Sequence, residues 1–206
     1  MLSECYFHIS KPDEAKYYLK LAMAKYPNNI EAYKDIGKLY HLGGDIIKAE
    51  NWYLKALRIS STYSPALTNL GVIDIQKGNY SKALKYLQKA VKSDPSYGTA
   101  WTNICKCYQE LDNLEKALHS AFISIKFEPV SAESYINLGS ILKETDKLKE
   151  AEFFTRKAIK INECLQDAHY NLGTILQAQG KYKGAIESFK RAVQLDPIFN
   201  IQRQPA

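Results

Sequence analysis

Asparagine recurs at Asn69, Asn103, Asn137 and Asn171, each 34 residues after the last. An amide side chain carries two N–H donors and a carbonyl acceptor. A row of such amides can clamp the backbone of an extended peptide whatever its side chains. Asparagine is a mediocre helix former, so helix propensity gives no reason to place it four times in register. Lys34, Lys38 and Lys106 add positive charge to the same rows, and Tyr170 adds an aromatic face. These eight residues form the candidate peptide-binding set.

Nothing comparable points to catalysis. The sequence has no paired histidines around a glutamate, no Gly-rich phosphate loop, no serine elbow and no paired carboxylates on one helix face. The expectation is a non-enzyme with no catalytic residue, no metal ligand and no cofactor. The cysteines, Cys5, Cys105, Cys107 and Cys164, lack ligand or disulfide spacing. Cys105 and Cys107 are two apart on one helix and point to different faces. Free thiols favour a reducing compartment, and a cytoplasmic location is expected. The histidines are scattered, and His169 is expected in the core with a satisfied nitrogen.

The elements that carry these residues repeat with them. Ala49, Ala83, Ala117, Ala151 and Ala185 recur at the same 34-residue step, with Ala15 one step earlier. Such a period means one supersecondary unit stacked on its copies. The units span 30–63, 64–97, 98–131, 132–165 and 166–199, after a partial unit over 1–29 and before a tail over 200–206. Numbered 1 to 34, positions 4, 7, 8 and 11 have the spacing of one helical face. Position 8 is Gly37, Gly71, Cys105, Gly139 and Gly173. A second helix carries small residues at positions 20 and 27, and its bulky series reads Tyr53, Leu87, Ala121, Phe154 and Phe189. Gly or Asp at positions 15 and 16 marks the turn, and Pro95, Pro129 and Pro197 at position 32 are expected to end the second helix. The third unit departs most. Phe122 is expected to make up for the missing bulk at Ala121. Asp74 replaces a large residue at position 11.

The large-large-small-large pattern at positions 4, 7, 8 and 11 closely resembles the tetratricopeptide repeat, over Leu2 to Phe199. The resemblance implies an all-α, right-handed α-solenoid of antiparallel helix pairs, one array over 1–206. It implies a protein-interaction scaffold whose first helices line a concave groove that takes an extended peptide or a partner protein. The asparagine row looks like that of the O-GlcNAc transferase repeat region, so the alternative is the substrate-recruiting arm of a larger enzyme of that kind. The clamp for acidic chaperone tails is matched only in part, by Lys34 and Asn69. Lys38, Thr99 and Asn103 depart from it.

Charge and hydropathy set the partner class. The net charge is +6, but 22 of the 28 Lys and Arg fall at positions 16–31, with 11 of the 22 acids. The basic charge therefore sits on the second-helix side, the outer wall of such arrays. A groove that tracks phosphates needs the reverse, so no nucleic-acid partner is expected. No run approaches ~18 apolar residues, so no membrane span is expected. A turn of about 100° per residue sets positions 2, 5, 6, 9, 12 and 13 opposite the packing face. The chain opens in mid-repeat and its tail is short, leaving Ile186, Phe189 and Val193 partly uncovered. End-to-end self-association or continuation into a further domain is expected there.

Overall fold

The computed structural model describes residues 12–195. Among them are eleven α-helices and no strand: α1 Pro12–Lys25, α2 Ile30–Leu42, α3 Ile46–Ile59, α4 Ser64–Gln76, α5 Tyr80–Ser93, α6 Gly98–Glu110, α7 Leu114–Phe127, α8 Ala132–Glu144, α9 Leu148–Ile161, α10 Gln166–Ala178 and α11 Tyr182–Leu195. The protein is an all-α helical-repeat solenoid. First helices all have 13 residues, and second helices from α3 on have 14. The chain forms two compact units, residues 1–103 and 104–206. The leading half-repeat at Leu2, Ser3 and Tyr6, Cys5 and the tail 200–206 lie outside the described residues.

Each helix pair turns through one residue with left-handed backbone. The φ values are 79° at Gly44, 73° at Gly78, 54° at Asp112, 59° at Asp146 and 75° at Gly180. Glycine reaches this region without steric cost, and aspartate is one of the few other residues that visits it. The turn is therefore set by the chemistry at position 15. Proline at position 32 has no such control. Second helices α3 and α9 end at Ile59 and Ile161, ahead of Ser61 and Glu163, at the same position as those followed by Pro95 and Pro129. The next residue is extended at Ser60, Asp94 and Asn162, with or without the proline, and lies outside that region at Glu128. The carbonyl at position 32 is then held by a donor at position 4. Tyr33 Oη donates to Pro27 O at 3.1 Å, Trp101 Nε1 to Pro95 O at 2.9 Å, and His169 Nε2 lies 3.0 Å from Glu163 O. That bond is the satisfied nitrogen expected of His169, whose ring is half-buried.

Within a pair, the helices meet where position 8 faces position 24. A Cβ built on Gly37 would lie 2.6 Å from the Tyr53 ring, on Gly71 2.7 Å from Leu87, and on Gly173 2.5 Å from the Phe189 ring. On Gly139 it would lie 2.3 Å from Thr155 Oγ1. Thr155, not Phe154, thus belongs to this series. A strict count of 34 from Ala121 reaches Thr155, which is fully buried, while Phe154 stacks on Tyr135 at 6.2 Å. The third repeat reverses the sizes, with Cys105 at position 8 and Ala121 at position 24, both in one buried cluster. Phe122 does not fill the gap, because it is 50% exposed. The thiol supplies the volume that Ala121 lacks.

This exchange is testable as a double-mutant cycle. Ala121→Leu alone overpacks against Cys105 and is expected to cost about 1–3 kcal/mol. Adding Cys105→Gly restores the arrangement of Gly71 and Leu87 and is expected to recover at least half of that loss in urea denaturation. Additive losses would place the two side chains in separate environments.

Candidate functional site

The asparagines occupy one position on four first helices: Asn69 on α4 and Asn103 on α6 in the first unit, Asn137 on α8 and Asn171 on α10 in the second. All four are half-buried. Their amides are used differently. Asn103 Nδ2 donates to Thr99 O of its own helix at 2.9 Å. Asn137 Nδ2 is buried with no partner. The Asn69 and Asn171 side chains make no hydrogen bond among the described residues. The preceding repeat has Asp35 at the same position, and its carboxylate meets Lys34 at 3.1 Å.

Lys34 is committed to neighbouring acids. Its Nζ lies 2.6 Å from Glu31 Oε2 as well as close to Asp35. Burial works against the Lys34 charge, but the hydrogen bond to Glu31 and the charge of Asp35 outweigh it and raise its pKa. Burial likewise works against the Glu31 charge, and its hydrogen bonds with Lys34 and with the Tyr63 hydroxyl outweigh that and lower its pKa. With two carboxylates on one ammonium the cluster carries a net negative charge, unlike a carboxylate-gripping cation. Lys38 and Lys106, one turn further along α2 and α6, are exposed.

The face opposite the packing side is narrower than the sequence analysis expects. Thr68 and Thr102 at position 5 are 2% and 4% exposed, and Ile75 at position 12 is 8% exposed. The reason is angular. At about 100° per residue, positions 5 and 12 lie only about 40–60° from position 8, so they flank the buried arc. Tyr170, also at position 5, leans onto Phe189 of α11 with ring centroids 5.6 Å apart. It is a packing residue on one side and solvent-facing on the other. Positions 2, 6, 9 and 13 remain as the open strip.

Neighbouring first helices are linked at the edge of this strip, from position 12 of one helix to the strip of the next. In the first unit, His41 Nε2 of α2 lies 2.8 Å from Gln76 Oε1 of α4. In the second, Lys143 Nζ of α8 donates to Thr174 Oγ1 of α10 at 3.5 Å. Within each unit, polar side chains from adjacent first helices thus converge on one surface.

Tetratricopeptide-repeat sequence profiles match residues 30–63, 74–119, 132–163 and 167–199. The chain is a tetratricopeptide-repeat protein. No curated protein matches it significantly by sequence. Among solved structures, the Cut9–Hcn1 hetero-tetramer of the APC/C is similar with a TM-score of 0.87 at 15% identity, over 95% of this chain and 39% of that one. The chain therefore spans well under half of that protein. PilW, a widely conserved type IV pilus biogenesis factor, is similar with a TM-score of 0.78 at 20% identity, over 95% of this chain and 90% of that one. YrrB, a tetratricopeptide protein with an unusual peptide-binding site, gives 0.62 at 20% identity, over 87% and 92%. These likenesses establish the fold.

Two chemical features of this tetratricopeptide protein bear on function without forming a site. Asp74 is 1% exposed at the position where Leu142 and Leu176 sit in later repeats, and Lys82 Nζ reaches its Oδ1 at 3.0 Å. That hydrogen bond raises the Lys82 pKa. The pair joins α4 to α5 of one repeat, and the buried carboxylate ties the two helices together. The thiols of Cys105 and Cys107 are fully buried, and burial pushes both up to about 12. Cys164 is exposed. Among the described residues no group of His, Cys, Asp or Glu has the arrangement of a metal site. None of their helices is long and apolar enough to cross a membrane.

Two outcomes follow. Asp74→Leu exchanges a buried carboxylate, paired with an exposed lysine, for the apolar residue of the later repeats, and is expected to leave the thermal midpoint unchanged or raise it. Lys82→Met strands the carboxylate and is expected to lower the midpoint. The reverse order in calorimetry would give the pair a net stabilising role. In alkylation at pH 8 with mapping by mass spectrometry, Cys164 is expected to react in the folded protein, and Cys105 and Cys107 only after denaturation. Labelling of either buried thiol as fast as Cys164 would contradict this assignment.

Proposed function

We propose that this chain is a cytoplasmic protein-interaction scaffold that binds an extended peptide, or an extended segment of a partner protein, along its first helices. The observation that carries the reading is the asparagine at one position of four successive first helices, three of them (Asn69, Asn137 and Asn171) with amide nitrogens that make no hydrogen bond among the described residues. An amide that is half-buried yet unused by the protein exchanges only water for a ligand, whereas one already bonded must first be released. Asn69 and Asn171 are therefore the primary donors and acceptors. Asn103 joins by exchanging its bond to Thr99 O. Asn137 joins by a side-chain rotation that exposes its nitrogen. Lys38 and Lys106 supply charge selectivity, and Tyr170 presents a half-buried aromatic ring to an apolar side chain.

Backbone recognition predicts breadth with weak side-chain preference. The support for a peptide over a nucleic acid is the charge distribution. The first-helix strip carries Glu31, Asp35, Glu110, Glu133, Glu144 and Asp167 beside its lysines. A phosphate backbone is repelled by such a strip. YrrB supports the reading as a fold relative with a peptide-binding site.

The test is a random-peptide display selection on immobilised protein, compared with an Asn69→Ala/Asn171→Ala variant of unchanged helicity. Wild type is expected to enrich extended sequences that share little side-chain identity. The variant is expected to bind the enriched peptides more weakly by about 0.5–1.5 kcal/mol per lost hydrogen bond. Equal affinities for wild type and variant would remove the amides from the binding mechanism.

A further inference from the structure

The repeat over 30–63 departs from the later ones at two positions. Position 6 is Asp35, where the next four repeats have asparagine. Position 24 is Tyr53, where they have Leu87, Ala121, Thr155 and Phe189. Packing does not call for the tyrosine hydroxyl. A Cβ on Gly37 would lie 2.6 Å from the Tyr53 ring, and one on Gly173 would lie 2.5 Å from the Phe189 ring, so a phenylalanine fills the same space. The hydroxyl is an addition, and a costly one. Tyr53 is 0% exposed, and its Oη is buried with no hydrogen-bond partner among the described residues. A buried polar group without a partner is destabilising, so its presence asks for a reason.

The two departures meet. The Tyr53 ring stands between two first helices: it rests on Gly37 of α2 and clusters with Ala66, Leu70 and Ile73 of α4, with Tyr63 packed beside them. Burial and the Asp35 carboxylate together raise the Tyr53 pKa, and burial, Glu31 and Asp35 raise that of Tyr63. Tyr53 Oη thus lies toward the acidic end of α2. The carboxylates there are unequally served. Glu31 accepts from Lys34 through Oε2 and from the Tyr63 hydroxyl through Oε1. Asp35 meets Lys34 alone, and at 3.1 Å against 2.6 Å for Glu31 it is the more distant of that lysine's two acids. Lys38 stands one turn further along α2 and is exposed.

We infer that Asp35 and Tyr53 Oη form a subsite for a basic side chain of the peptide bound along the strip, arginine before lysine. A guanidinium carries only donors. It gives one N–H to the Asp35 carboxylate and another to a lone pair of Tyr53 Oη, and its planar fork suits two acceptors side by side. Lys34 swings off Asp35 to open the way and keeps Glu31. The arriving charge then sets two cations against the two carboxylates. The inference rests on the reading of the asparagine row as a peptide clamp. It adds register to that clamp, because the basic residue fixes which part of a ligand lies at α2.

The test is random-peptide display on the full chain, run in parallel on wild type, Asp35→Asn, Tyr53→Phe and Asn69→Ala/Asn171→Ala. Asparagine and phenylalanine both occur at these positions in later repeats, so the single variants are expected to keep the wild-type circular dichroism. Wild type is expected to enrich peptides with arginine or lysine at one fixed position. Asp35→Asn is expected to enrich extended peptides without that preference, and to bind the wild-type set about tenfold more weakly. Tyr53→Phe is expected to bind that set about threefold more weakly. Citrulline in place of the arginine, neutral and of the same shape, is expected to weaken binding to wild type and to leave binding to Asp35→Asn unchanged. Equal basic preference in wild type and Asp35→Asn would overturn the inference, as would undiminished binding by Tyr53→Phe or equal binding of the citrulline peptide by wild type. Peptides with no basic position, bound more weakly by Asn69→Ala/Asn171→Ala, would overturn this subsite and leave the amide clamp standing. A basic preference with no effect of the asparagine changes would keep the subsite and remove the amides. A selection that enriches nothing would overturn both.

Discussion

Each repeat depends on a close approach of its two helices at a site with room for one side chain and not two. At Gly37, Gly71, Gly139 and Gly173 the space where a Cβ belongs is already filled from the facing helix. Burying a side chain such as Leu87 there contributes about 1.5–3 kcal/mol, and the gain is available only because the glycine lets the backbones close in. The third repeat shows that the constraint is on volume and not on residue type. Cys105 with Ala121 fills the same space from the other side. Interiors are packed to near-crystalline density, so the sum of the two side chains is what the fold fixes.

The polar groups follow from that packing. Once α4 and α5 are drawn together, Asp74 is left in the interior and Lys82 reaches in from the surface to meet it. At Pro27, Pro95 and Glu163 the carbonyl left over after a second helix is met by the side chain at position 4, in turn a tyrosine, a tryptophan and a histidine. Three side chains of different chemistry do the same work. This is why a histidine stands where aromatic residues stand elsewhere without implying a metal or a proton transfer.

Stacking also divides the surface into faces with different partners. The side of each first helix that packs is buried, and the remaining strip is polar, bridged between neighbours and rich in amides. The outer side of each second helix is basic and solvated. The edge that passes from one repeat to the next is apolar and self-complementary in a directional sense, because each second helix receives a helix of one pattern. Within each unit the first helices thus offer a polar strip, distinct from the apolar edges by which the repeats pack.

Much of the fold was legible in the residues. The 34-residue period fixed the helix pairs, their starts at Ile30, Ser64, Gly98, Ala132 and Gln166, and the left-handed turns at Gly44, Gly78, Asp112, Asp146 and Gly180, because these depend on local backbone chemistry. The asparagine row was legible for the same reason, as a recurrence along the chain. Tertiary contact decided the rest. Which of Phe154 and Thr155 faces Gly139, whether Phe122 or Cys105 fills the third repeat, and that Thr68, Thr102 and Ile75 are buried all depend on what lies across from each helix. A helical face read from spacing gives a direction in space. How wide an arc of that face is covered, which of its cations are already paired, and which of its amides are spent on their own backbone are settled only when the neighbouring helices are in place.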